Sequence, residues 1–162
     1  MTMLCVDAST TNFGLAWFVD GKLDEVDSFS VSGVYDLDKA RRIHSIFEKV
    51  VNIGDVDQIV FERPVPMRFV HTVIPINQIM GILCAVAFHN CIDVDMVHAR
   101  TIQARMGLKC KGKEKKFEAI ALAKKLYPAM ADTVSTHDIA DAILIGETQK
   151  ILMSEIIERS EG

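Results

Sequence analysis

The dipeptide Asp20-Gly21 constrains this chain more than any other feature. Such a pair between two apolar runs selects a tight hairpin, because both positions accept the positive φ that the turn demands. Before it lies Gly14-Leu15-Ala16-Trp17-Phe18-Val19, and after it residues 22–32 alternate loosely enough to pair back as a strand. An earlier apolar run occupies residues 3–6. The chain therefore opens as an antiparallel meander of three strands.

The period then changes. Residues 38–53 place Ala40, Ile43, Ile46, Phe47, Val50 and Val51 on one stripe, which predicts a helix ended by Gly54. Residues 57–61 read as a strand around Ile59-Val60-Phe61, broken by Arg63-Pro64-Val65-Pro66. Residues 76–88 are so apolar that a helix there should be buried on most sides. A strand at 94–97, a short helix at 101–106 ended by Gly107, a helix at 113–126 stopped by Pro128 and a last helix at 136–157 complete the order. A meander followed by alternating helix and strand predicts an α/β domain: a mixed five-stranded sheet with helices on both faces.

One domain spanning 1–162 fits this length, and hydrophobic residues at 49% suffice for a sizeable core. No apolar run nears the roughly 20 residues of a membrane span. Asp7 comes too early for a secretory signal, so a cytoplasmic protein is expected. The cysteines Cys5, Cys84, Cys91 and Cys110 lack the paired spacing of a zinc site and are expected to be free core thiols.

The net charge of −4 argues against nucleic acid, but its distribution does not. Nine of the 18 Lys and Arg residues fall between Arg100 and Lys125, opposed only by Glu114 and Glu118, so this segment carries +7 and the remainder −11. A basic patch on an acidic body still tracks a phosphate backbone. A solvated, lysine-rich loop and helix face would have the same composition.

The chemistry lies in carboxylates. Asp7 follows Leu4-Cys5-Val6 and Glu62 follows Ile59-Val60-Phe61, so parallel neighbouring strands would deliver both to one carboxyl edge of the sheet. Asp138 and Asp141, three apart at the start of the last helix, project from one face. Carboxylates so clustered resist ionising together, and a divalent cation with a preference for hard oxygen ligands, Mg²⁺ or Mn²⁺, relieves them. Two such ions about 3.5–4 Å apart activate water and stabilise a leaving oxygen in phosphodiester hydrolysis. Plainer roles exist. Asp7 opens Asp7-Ala8-Ser9-Thr10-Thr11-Asn12 and suits a turn cap; Glu62 suits a solvated strand end; Ser135-Thr136-His137-Asp138 fits a capping box. Capping accounts for Asp138 but not for Asp141, which sits among Ile139, Ala140, Ala142 and Ile143 and needs a partner or a metal. His137 suits a metal ligand, a general base or a surface position.

Cys5-Val6-Asp7-Ala8-Ser9 with Gly14-Leu15-Ala16, then Ile59-Val60-Phe61-Glu62, then His137-Asp138-Ile139-Ala140-Asp141-Ala142 together resemble the RuvC family of Holliday junction resolvases, within the ribonuclease H-like and retroviral integrase superfamily. The resemblance covers most of the chain in order. It implies a ribonuclease H-like fold, catalysis by Asp7, Glu62, Asp138 and Asp141 holding two Mg²⁺ ions, cutting of branched DNA at a four-way junction, and a homodimer that makes paired nicks. Residues 76–88 suit the dimer face, as they would a core helix. It also implies DNA contacts by lysines of the basic turn and helix, among Lys109, Lys111, Lys113, Lys115 and Lys116. Phe69, with Arg68 beside it, is the candidate aromatic that probes the junction centre. The chain departs from the family's Asp-Pro-Gly opening at Asp7-Ala8-Ser9, and Pro64 and Pro66 stiffen the loop after Glu62. These departures bear on junction specificity more than on metal chemistry, and the compact form resembles a phage or virus version. Three alternatives use the same residues: a non-catalytic branched-DNA binding protein, one half of an actin-like ATPase, whose cleft needs two such domains, and an RNA-directed nuclease.

Overall fold

The computed structural model describes residues 1–64, 70–110 and 112–160, with side chains of 70–72 left aside. The meander forms as its sequence dictates: β1 (Thr2–Ala8), β2 (Asn12–Val19) and β3 (Lys22–Ser30) are antiparallel neighbours. Asp20 and Gly21 at the β2–β3 turn have φ of 49° and 75°, the conformation the hairpin demanded. Then follow α1 (Leu37–Ile53), β4 (Gln58–Arg63), α2 (Val70–His89), β5 (Asp93–His98), α3 (Ala99–Met106), α4 (Lys113–Leu126), a 3₁₀ turn (Pro128–Met130) and α5 (His137–Ser160). The sheet order is β3-β2-β1-β4-β5, with β1, β4 and β5 mutually parallel. This is the mixed five-stranded sheet that the sequence predicts.

Strand alternation divides the core in two. Leu4, Val6, Ile59 and Phe61 face α1 and α2, where Ile43, Phe47, Ile79 and Leu83 meet them. Met3, Cys5, Ala16 and Val60 face the other way, onto Ala119, Ala123, Ile139 and Ile143 of the C-terminal helices. Asp7 keeps the parity of Met3 and Cys5, and Glu62 that of Val60. Both carboxylates thus belong to the face that α5 covers.

Two glycines let α5 lie close on that face. A Cβ on Gly14 of β2 would stand 2.0 Å from the backbone oxygen of Asp138, and one on Gly146 would stand 2.2 Å from the Phe18 ring. Glycine in a strand commonly marks such an approach of another backbone.

Two expectations need correction. The helix expected at 76–88 starts at Val70, runs through Pro75, and is not buried on most sides. Ile79, Met80, Leu83, Val86 and Ala87 are buried, but Ile74 is 51% and Phe88 66% exposed. An outer-layer helix touches the sheet along one stripe only, whatever its composition. The cysteines are free as expected, yet only Cys5 is fully buried; Cys91 and Cys110 lie on the surface. Among the described residues no helix is long and apolar enough to cross a membrane.

Candidate active site

Val6 of β1 is registered with Phe61 of β4, so Asp7 and Glu62 come next on adjacent parallel strands, at the carboxyl edge. Strands so paired lie about 4.8 Å apart. The N-terminal turn of α5 crosses above them and adds Asp138 and Asp141. Asp7, Glu62 and Asp141 are partly exposed; Asp138 is 8% exposed.

The ionisation of these groups records their crowding. Asp7 is held well above the usual carboxylate range, first by burial and then by the negative charges of Asp141, Glu62 and Asp138. Burial also raises Glu62, with Asp141 adding to it and Lys115 opposing. Asp141 is raised by burial and by Asp138, against Lys115, His137 and Lys116. Four carboxylates from three distant chain segments therefore share one electrostatic neighbourhood. They feel each other's charge without forming a finished cage: among the described residues no three His, Cys, Asp or Glu side chains are placed to hold one ion together.

The lysines separate at this point. Lys115 is the cation that acts on Asp7, Glu62 and Asp141 alike. Lys116 reaches His137, Nζ to Nε2, at 2.8 Å. Lys113 is exposed at the start of α4. Lys109 is placed by its backbone, whose N–H donates to the Glu118 carboxylate at 3.0 Å, as does that of Cys110 at 2.9 Å. Arg105 is engaged with Glu155 at 2.6 Å, so one of the nine cations of the basic segment has an acid partner. Lys111, Arg68 and Phe69 lie outside the described residues.

His137 Nε2 also faces Asp138 Oδ1 at 3.3 Å. The nitrogen accepts from Lys116 only when unprotonated, and donates to Asp138 only when protonated. One atom does not serve both at once, so Nε2 takes one partner or the other according to the tautomer. The alternative role of Asp138 in a capping box is not what the structure shows. Thr136 caps α5 instead, its Oγ1 accepting from Ile139 N at 3.3 Å and its carbonyl from Ala140 N at 3.2 Å. The cap sits one residue later than the Ser135 box implied, which leaves the Asp138 carboxylate outside the capping interaction. Asp138 instead lines a shallow recess with Asn12, Ser28, Phe29, Ser30 and Thr136.

Sequence reasoning missed one contributor, Gly14, and left another, Lys115, among several candidates. Lys115 could not be chosen among three lysines in four positions. Gly14 carried a readable signal, glycine within an apolar strand, but not what approached it. Carboxylate oxygens are the donor type that hard divalent cations take, and lysines like those on the α4 side are the type that meets an anionic backbone.

No protein-family model and no curated protein matches the sequence. Solved structures do. The chain is similar to T. thermophilus RuvC in complex with a Holliday junction substrate, with a TM-score of 0.75, 16% identity and coverage of 91% of this chain and 92% of that one. It is likewise similar to a second Thermus thermophilus RuvC structure at 0.69, with 17% identity and the same coverage of 91% and 92%. The yeast mitochondrial Holliday junction resolvase Ydc2 matches at 0.61, with 11% identity over 90% of this chain and 77% of that one. The fold of this chain is therefore the ribonuclease H-like fold of the RuvC resolvases.

Proposed function

We propose that this protein is a metal-dependent endonuclease that resolves four-way junctions and related branched DNA. The observation that carries the reading is the convergence of Asp7, Glu62, Asp138 and Asp141: burial first, and then the charges of the other three, hold the Asp7 carboxyl well above the usual range, with Lys115 alongside. The likeness in fold to two junction resolvases adds the choice of substrate.

The donor set fits Mg²⁺, with Mn²⁺ as a substitute, because every donor is a carboxylate oxygen and a cation offsets the repulsion. Bound by these four residues, a pair of such ions would supply an activated water and charge stabilisation at the leaving oxygen. The chain's own residues do the rest. Lys115 neutralises the phosphate that approaches Asp7, Glu62 and Asp141. Lys116 and His137 hold a proton at the rim of the site. Lys113 and Lys109 follow the backbone away from it. A homodimer would let two such sites nick opposing strands. Its contact face is the exposed stripe of α2, Ile74, Gly81, Ala85 and Phe88, spaced one helical turn or two apart.

The test is cleavage of synthetic four-way, three-way, flap and linear DNA with mapped cut sites. Mg²⁺-dependent cutting of the branched substrates is expected, and Asp7→Asn should bind the junction without cutting it. Clean, folded protein that cuts none of them with Mg²⁺ or Mn²⁺ would falsify the reading.

A further inference from the structure

Phe117 is 73% exposed on α4, where a large aromatic ring in water has no packing to justify it. The buried seam of α4 is made by Ala119 and Ala123, so the helix docks without help from Phe117. Residues spaced three or four apart share a helix face, and this spacing puts Lys113, Phe117, Ala121 and Lys124 in one exposed line, with the exposed Glu114 on its flank three residues before the ring. The line is about 16 Å long at 1.5 Å per residue. Its small central residue, Ala121, leaves the ring's C-terminal side open. On the flank towards α5, Lys115 acts on the carboxylates and Lys116 touches His137.

We infer that Phe117 is a stacking platform for an unpaired DNA base, with Lys113 and Lys124 taking the phosphates on either side. The chemistry of the line supports this occupant. An aromatic face between two cations matches a splayed nucleotide, whose base is flat and apolar and whose backbone is anionic. The segment from Arg100 to Lys125 carries nine cations against two acids, and this excess of positive charge favours a polyanion as the occupant. The strand whose backbone lies over the carboxylates would thus leave the site along the outside of α4, with one base turned out onto the ring. This rests on the branched-DNA reading above and adds a base contact to it, on an element separate from the loop after Glu62.

The experiment measures binding in Ca²⁺, with 2-aminopurine placed at unpaired positions near the branch of a four-way junction. Phe117→Ala should weaken binding roughly 5- to 150-fold, the range for losing one base–aromatic stack. It should also abolish 2-aminopurine quenching, while Phe117→Trp restores both. Alanine at an exposed helical position favours the helix, so folding is not at risk. Unchanged affinity and quenching in Phe117→Ala, with the wild type binding normally, would overturn the inference and leave the nuclease reading intact. Loss of self-association by Phe117→Ala in sedimentation, in step with lost DNA binding, would also overturn it, by assigning the ring to a protein contact. Wild-type protein that binds no branched DNA at all would overturn both readings together.

Discussion

Replacing Gly14 with alanine tests how the active site is held. The new Cβ would stand 2.0 Å from Asp138 O, 2.2 Å from Asp138 C and 2.7 Å from Ile139 N, all backbone atoms that no rotamer change can move. Ordinary contact begins at 3.4 Å, so the first turn of α5 must retreat by about 1.4 Å if β2 holds its place. The helix is pinned eight residues later, where Gly146 lies against Phe18 and Cys5. It would therefore tilt about a pivot some 12 Å away. Scaled along that lever, Asp141 moves about 0.9 Å, while Asp7 and Glu62 stay on their strands. A misplacement of about 1 Å costs a reacting group on the order of 100-fold in rate. Stability should fall by about 1–3 kcal/mol, the usual cost of overpacking. The assay pairs single-turnover junction cleavage in Mg²⁺ with urea unfolding, and hydrogen exchange of the 137–141 amides locates the disturbance independently of activity. Wild-type cleavage together with wild-type exchange at these amides would refute the argument that the Gly14 contact sets the position of α5.

Lys115→Ala should lower the cleavage rate roughly 100- to 1,000-fold, in line with the loss of one preorganised charge, with a much smaller effect on junction affinity; Lys113→Ala should show the reverse, and a filter-binding and cleavage pair separates them. Asp7→Asn should stabilise the metal-free protein in a thermal melt, because it removes the charge that burial and three carboxylates disfavour. The sign for pH follows from the same raised carboxyls: they contribute stability below the ordinary carboxylate range of about 4, and it is lost as pH rises through their higher folded values. Metal binding needs the ionised forms, so the gain in melting temperature from Mg²⁺ should shrink as pH falls, starting above that ordinary range, and a gain equal at pH 5 and pH 8 would contradict the assignment. Phe88→Glu on the outer stripe of α2 should leave folding intact and give a monomer by sedimentation, because it puts a charge on the proposed apolar contact face.

What the sequence determined by itself was local in origin. Asp20-Gly21 required a hairpin because its conformational needs are met by those two residues alone. The apolar runs before Asp7 and Glu62 set strand and parity, and parity sends both carboxylates to the same face once the strands are parallel. Helical spacing marked α1 and α4 to within a residue. These signals involve neighbours a few positions apart, and no long-range contact was needed to read them.

The tertiary structure decided what depended on distant segments meeting. Composition could not say whether the apolar 76–88 segment was surrounded or covered on one side; the position of α2 outside the sheet left Phe88 in water. Spacing could not choose among Lys113, Lys115 and Lys116, because the choice depends on which side of the first turn of α4 faces residues 7, 62 and 141. The register of the α5 cap moved from Ser135 to Thr136 by a single residue, a shift that short polar runs leave open and packing resolves. Above all, the four carboxylates were visible as motifs, but their coupling was not. Charge interacts through space, and the close approaches at Gly14 and Gly146 bring α5 down onto the sheet and put Asp138 and Asp141 beside Asp7.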